Sequence, residues 1–271
     1  MILNDVTILI VAFKPKYDLL VSQIQKFNEN FPILIINNSE EKLDNYFYDC
    51  KNVKVIESER NSGNGAGINL GLKNCDTNYV IYLDIDVVID EKNLIKFLKY
   101  AKKIKKFGVL IPNSINYNPK SKILKKWDIE GSIMLFNKKI LNNKIKFDEN
   151  YFLYYEETDF FFNCMKMKID IFFITKIIFF HNNASSIDTD KKDEIKALRE
   201  WHFMWSKYYF YKKNFGLVKA LRINLPYFFK DCVKLLIYLI VLDINAINLR
   251  YNRITGFINS LVNLKSSKRL K

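Results

Sequence analysis

The sequence has no C-x-x-C pair: its four cysteines, Cys50, Cys75, Cys164 and Cys232, are scattered along 271 residues. That spacing reads as reduced, mostly buried thiols of a cytosolic protein. Long apolar runs are missing too. The most hydrophobic C-terminal stretch, "LPYFFKDCVKLLIYLIVLD", is interrupted by Lys230, Asp231 and Lys234. What stays unbroken is far below the roughly 20 residues of a spanning helix, which leaves room only for an amphipathic helix lying on a membrane. The opening "MILNDVTILIVAF" is short and carries an acid early, so it resembles a first strand more than a signal peptide. No internal repeat is present.

What is present is a globular composition, 49% apolar, long enough for one large domain or one domain with an appendage. The 43 basic and 29 acidic side chains give a net charge of +14, distributed unevenly. Residues 1–190 carry 26 basic against 24 acidic groups, and residues 191–271 carry 17 against 5. This asymmetry predicts a boundary near residue 190, with a basic C-terminal segment suited to an anionic surface: phospholipid headgroups, a pyrophosphate-linked substrate or nucleic acid.

Along residues 1–190, strand patterns alternate with helical ones. "VTILIVAF", "PILIINNS", "NVKVIES" and "YVIYLDIDVVI" read as strands, with helices at "YDLLVSQIQKF" and "GINLGLKNC", and a further helix capped by Asp90 with Leu94, Leu98, Ala101 and Ile104 on one face. This is the signature of an α/β fold built on a mostly parallel sheet, whose ligands bind beyond the carboxyl ends of the strands. A loop at "IPNSINYNPKSK", strands at "WDIEGSIMLF" and "IDIFFITKIIFFHN", and a helical pattern from Lys191 complete the reading.

Four features carry candidate chemistry. Asp84 and Asp86, two residues apart at a strand end, would raise each other's pKa unless a cation compensates them. Mg²⁺ or Mn²⁺ suits such a pair with added phosphate oxygens, and a solvated strand end is the plain alternative. "RNSGNGAGINLGL" places Gly63, Gly65 and Gly67 before a helix whose N-terminus favours anions, in a spacing that is not a dinucleotide fingerprint. "FDENYFLYYEETDFFFN" crowds Asp148, Glu149, Glu156, Glu157 and Asp159 among aromatic rings, where partial desolvation lifts a carboxylate toward a general base's range. His181, one of two histidines, follows an apolar run and gains meaning only beside Asp86.

In order, "VTILIVAF" with Ala12 and Phe13, "IINNS", "NSGNGAGINLGL", "YLDID", "EGSIMLF" with Gly131, "FDENYFLYYEETDFFF" and "HNNASS" resemble a family 2 glycosyltransferase of the rhamnosyltransferase-like branch, over roughly residues 5–190. The resemblance implies a GT-A fold for residues 1–190, an inverting transfer from a nucleotide diphosphate sugar, dTDP- or UDP-linked, and a Mn²⁺ or Mg²⁺ cofactor. It puts Asp86 on the metal, Asp84 near the ribose or the metal's water shell, and His181 as a completing ligand. Asn61, Gly65, Gly67 and Asn69 match the donor-side turn, and Ala12, Phe13, Asn37 and Gly131 also fall on the substrate side. Glu157 takes the place of the base, Glu156 stands beside it, and Asp159 braces the helix that bears them. The usual Asp-Asn pair is Asn37–Asn38 here, which leaves base preference open.

The basic segment 191–271 suits a glycan acceptor on a lipid pyrophosphate at the inner membrane face. Trp201, Trp205, Tyr208, Tyr209 and Phe210, interleaved with Lys207, Lys212 and Lys213, are the expected contact, with core packing as the alternative. Nucleic acid is not an expected partner, because basic residues spread over helices without a motif are a weak signal. A sugar-1-phosphate nucleotidyltransferase, a degenerate relative and a non-catalytic basic binding protein are the competing readings. The first would carry a glycine-rich loop where "AFKPKYD" stands.

Overall fold

The computed structural model describes residues 5–27, 31–88, 90–104, 106–114, 123–124, 131–142, 144–181 and 192–269, with the side chains of 114, 123, 124 and 181 outside the description. The loop expected at "IPNSINYNPKSK", residues 111–122, starts later than expected, because a strand runs Val109–Ser114; residues 115–122 and the stretch just after His181 lie outside the described residues. Two compact units emerge: residues 1–147 with 160–188, and residues 148–159 with 189–271.

The first unit is a helix-flanked sheet. Its elements begin β1 (Val6–Ala12), α1 (Tyr17–Gln25), β2 (Ile33–Asn37), α2 (Tyr46–Asp49), β3 (Val53–Glu57), α3 (Asn64–Asn74) and β4 (Tyr79–Leu83). They continue with β5 (Val87–Val88), α4 (Glu91–Lys103), β6 (Val109–Ser114), β7 (Ile123–Leu124), β8 (Ile133–Asn137), α5 (Lys138–Leu141), α6 (Glu156–Lys166) and β9 (Ile171–His181). Among the described residues the order is β3-β2-β1-β4-β8-β6-β9-β5, with β7 paired to β9. From β3 to β4 every pairing is parallel, and β8 then joins β4 antiparallel.

Alternation along the strands sorts the core into two layers. Ile8, Ile10, Ile33, Ile35, Ile81 and Leu83 meet Leu20 and Ile24 of α1 and Leu94, Phe97, Leu98 and Ala101 of α4. Leu9, Leu34, Ile36, Val80 and Tyr82 meet Ile68 of α3 and Phe160, Phe161 and Cys164 of α6. With both faces covered, β2 is buried at all five positions, which is why "ILIIN" is a continuous apolar run. Asp90 caps α4 as expected, accepting from the Asn93 N–H at 2.6 Å.

The strand expected at residues 79–89 is corrected as well. "YVIYLDIDVVI" is not a single strand: β4 stops at Leu83, and Val87–Val88 pair with the far end of β9. Asp84 and Asp86 therefore occupy a turn, closed by the Val87 N–H to the Asp84 carbonyl at 3.2 Å, and strand alternation does not set their direction. The chain leaves the β4 ladder here because β8 starts pairing at Leu83↔Ile133 while β5 belongs to a different edge.

The second unit holds α7 (Lys192–Phe215), α8 (Leu217–Ile240) and α9 (Ile244–Leu261). Gly216, at φ 84°, is the one residue between α7 and α8, a backbone conformation that suits glycine. A core of Met204, Tyr208, Ala220 and Phe257 joins the three helices. An expectation also fails in this unit. Trp201, Trp205, Tyr208 and Phe210 are buried and Tyr209 is half-buried, so these aromatics pack as core and do not form a membrane face. Trp205 donates from Nε1 to the Leu264 carbonyl at 2.9 Å, and Lys207, itself buried, sits 3.4 Å from the Tyr227 ring centroid. The spacing 201, 205, 208 is the inner stripe of a helix packed by two others.

Candidate donor site and its carboxylates

The site in the first unit forms where the parallel strands end. Ala12, buried, is in register with Asn37, and Asn37 with Glu57, so the ends of β1, β2 and β3 lie side by side. The loops beyond are tied together: the Asn38 N–H donates to the Ala12 carbonyl at 2.7 Å, and the Lys14 N–H, past the half-buried Phe13, donates to Ser39 Oγ at 2.8 Å. Asn37 is fully buried; its Nδ2 donates to Glu57 Oε2 at 2.7 Å and to the Glu41 carbonyl at 2.8 Å. Tyr48 also donates to the Glu57 carboxylate. The charge missing at Asn37 is thus present one strand away, on an exposed Glu57 that ends "NVKVIE" as Asn37 ends "ILIIN".

The glycine-rich segment opens α3. Asn61 Oδ1 accepts from the Gly63 N–H at 3.1 Å, and Asn38 Nδ2 donates to the Gly63 carbonyl at 3.1 Å. Asn38 Oδ1 is buried without a hydrogen-bond partner. Gly65 and Gly67 are buried in the first turns of α3. A Cβ on Gly67 would stand 2.6 Å from Val11 Cγ1, so this glycine is required by the close seating of α3 on β1. Asn69 is grouped by sequence with the donor turn. Its Nδ2 donates to the Phe147 carbonyl at 2.9 Å, and its Oδ1 accepts the Phe147 N–H at 3.0 Å.

The turn bearing Asp84 and Asp86 is held from three sides. Tyr82 donates to the Asp84 carboxylate, and its hydroxyl lies 3.0 Å from Asn64 Oδ1 in the first turn of α3. The Asp84 N–H donates to the Ser132 carbonyl at 2.9 Å, one residue past the buried Gly131. Gln23 of α1, fully buried, donates from Nε2 to the carbonyls of Asp84 (3.2 Å) and Val87 (3.0 Å). Register sets His181 opposite Val87, next in sequence to Asp86; its side chain is outside the description. Sequence reasoning missed Gln23, Tyr82 and Glu57. Of these, Tyr82 stands nearest in sequence to the aspartates, two residues before Asp84.

Among the described residues, no three His, Cys, Asp or Glu side chains gather into a group that holds a metal. The donor set on the turn is two half-buried carboxylates, all oxygen, beside a helix N-terminus. That chemistry fits a hard divalent cation which takes its remaining ligands from water and phosphate oxygens.

The remaining carboxylates belong to the second unit, whose division from the first falls inside α6. The helix follows two consecutive left-handed residues, Tyr154 (φ 66°) and Tyr155 (φ 68°). Such backbone persists only where its surroundings hold it. Tyr155 is held against the rings of Phe203 and Phe210. Glu156 is buried and Glu157 half-buried. Asp159 is fully buried, with Lys213 Nζ at 2.6 Å on Oδ2 and Asn214 Nδ2 at 2.8 Å on Oδ1. Lys213 also reaches Asp148 at 2.7 Å. Burial pushes the Asp148 carboxyl up, but hydrogen bonds from Lys213, the Asn150 N–H and Tyr209 outweigh it and hold the group below its usual range.

The family model described as glycosyl transferase family 2 matches residues 18–172, more than half of the chain. No curated protein sequence matches. Among solved structures, GalNAc-T7 with UDP, GalNAc and Mn²⁺ superposes at TM-score 0.55 and 15% identity, over 77% of this chain and 50% of that one, so this chain spans half its length. The mannosyltransferase PcManGT from Pyrobaculum calidifontis, in complex with GDP-Man and Mn²⁺, gives 0.58 and 10%, over 95% and 87%. TarS 1–349 from S. aureus gives 0.53 and 14%, over 95% and 91%. At these identities the likeness shows the fold, which is GT-A. The sheet with its glycine-opened helix, the two-aspartate turn and the match over residues 18–172 lead to one assignment: the chain belongs to glycosyl transferase family 2.

Proposed function

We propose that the protein moves a hexose or deoxyhexose, rhamnose-like, from a dTDP- or UDP-sugar to a hydroxyl of a lipid-linked glycan acceptor, with inversion, at the inner membrane face. One observation carries this reading. Tyr82 ties the Asp84 carboxylate to the first turn of α3, so a carboxylate turn and a helix N-terminus adjoin at one sheet end. A diphosphate needs both: backbone N–H groups for its oxygens and carboxylates for its counter-ion. Asp86, with Asp84 and His181, would hold Mn²⁺ or Mg²⁺. When bound, the cation supplies positive charge against the departing diphosphate.

The chain's own groups do the rest. Asn61 shapes the turn into α3, and Gln23 fixes the backbone from which both aspartates project. Asn37 and Glu57 offer a paired amide and carboxylate to the nucleotide base. Glu157 takes the proton from the acceptor hydroxyl as it attacks the anomeric carbon, and a single displacement inverts the configuration. Glu156 tunes it, and Asp159 anchors their helix through Lys213 and Asn214. The PcManGT and GalNAc-T7 complexes, each holding a nucleotide or nucleotide sugar with Mn²⁺, support the donor class and the metal. Family membership favours transfer over the nucleotidyltransferase reading.

The test is isothermal titration of UDP, dTDP and GDP with and without Mn²⁺ on wild type, Asp86→Ala and Glu157→Gln. The expected result is metal-dependent binding of one nucleotide, weakened at least about tenfold in Asp86→Ala and kept in Glu157→Gln, whose turnover falls by about a hundredfold or more. Absence of nucleotide binding under every condition overturns the reading.

A further inference from the structure

We propose that the outer face of α8, with the turn into α9, seats the protein on an anionic phospholipid bilayer. Phe229, Val233, Leu236, Ile237 and Ile240 recur at i, i+4, i+7, i+8 and i+11, and each is between 51% and 82% exposed. Val241, Leu242 and Ile244 continue the exposure, at 63% to 77%, through the turn. The opposite face of the same helix is the one that packs: Ala220, Asn224 and Asp231 are buried there. A soluble face would carry polar groups at those outward positions, and a contiguous apolar surface of this kind marks an interaction site.

Charge identifies the occupant. Lys219, Arg222 and Lys230 are exposed on α8 and Lys234 is half-exposed. The one carboxylate of α8, Asp231, is 2% exposed and accepts from Arg250 at 2.9 Å and Arg253 at 2.7 Å, so it offers nothing to offset them. In the turn, Asp243 is exposed and caps α9, accepting from the Ala246 N–H at 3.0 Å, one acid beside four cations. A bilayer with anionic headgroups meets both halves of this face, acyl chains for the stripe and phosphate for the cations. A second copy docked face to face would set these cations against their own images, with only Asp243 of the turn to pair them. Among the described residues no helix is long and apolar enough to cross a membrane, so the helix would lie along the surface.

The inference gives the proposed membrane location a surface, and it rests on the second unit without depending on the transfer chemistry. The full chain is floated with vesicles of phosphatidylcholine alone and of phosphatidylcholine with rising phosphatidylglycerol, at low and high salt. Wild type is expected to float with the anionic vesicles and release at high salt. Leu236→Asp/Ile240→Asp and Lys219→Glu/Lys230→Glu should each lose about tenfold or more in partitioning, with unchanged thermal midpoints because the substituted groups are exposed. Flotation that is absent, or indifferent to both pairs of substitutions, overturns the proposal. So does a dimer in light scattering that Leu236→Asp/Ile240→Asp dissolves in a chain that ignores vesicles. A chain that floats as expected yet binds no nucleotide upholds the surface and overturns only the functional reading.

Discussion

Asn37 shows how a single side chain can look like a loss and be a compensation. An aspartate at the end of β2 would stand where Asn37 Nδ2 now donates to Glu57 at 2.7 Å, turning a hydrogen bond into two carboxylates in contact. Asn37→Asp is therefore expected to destabilise the fold by about 1–3 kcal/mol, from repulsion together with an unmade buried bond. Urea denaturation checks this, and Asn37→Asp/Glu57→Gln should recover most of the loss. If Asn37→Asp alone matches wild type, the amide–carboxylate pair is not what holds this strand end. Asn37 was legible as a site position because it ends an apolar run; Glu57 was not, because only the β2–β3 register reveals that it faces Asn37.

At the scale of the element, two glycines separate tight packing from impossible packing. A Cβ on Gly71 of α3 would meet the Leu9 side chain at 2.3 Å, and a Cβ on Gly256 of α9 would meet the Trp201 carbonyl oxygen at 2.3 Å. A leucine end can turn aside at a cost, whereas a helix backbone moves only if α9 lifts from α7. Gly71→Ala is expected to cost about 1–2 kcal/mol, and Gly256→Ala about 3 kcal/mol, as overpacking in a filled core does. Thermal unfolding of both variants tests the ranking. Equal midpoints would mean that the α7–α9 contact yields as easily as a side chain. The sequence displays the glycines but not their neighbours, which is also why the aromatics of α7 could be read as a membrane face before their burial was known.

For the whole molecule, acid is the expected weakness. Burial pushes His202 down to about 3 from its usual 6.5, its ring held between Ser266 Oγ and the Lys268 carbonyl at 2.9 Å each. Between those two values the unfolded chain binds a proton that the native imidazole refuses, so stability falls as pH drops, by up to about 1.4 kcal/mol per pH unit. Asp148 acts in the same direction lower down: its carboxyl is held below the usual range, and its contribution disappears as pH falls through the folded value. Denaturation at stepped pH from 7 to 5 should show the slope, and His202→Phe should flatten it whatever its effect at pH 7. A wild-type slope unchanged in His202→Phe would place the acid sensitivity elsewhere. By itself the sequence determined the α/β class, the parallel strands with their covering helices and the glycine-opened helix, because alternation, capping and apolar periodicity act over a few residues. Only the tertiary structure decided that those aspartates sit in a turn held by Gln23 and Tyr82, that Glu57 answers Asn37, and that α8 and not α7 turns its apolar side outward. Those are contacts between segments distant in sequence, and which face a helix buries depends on what packs against it.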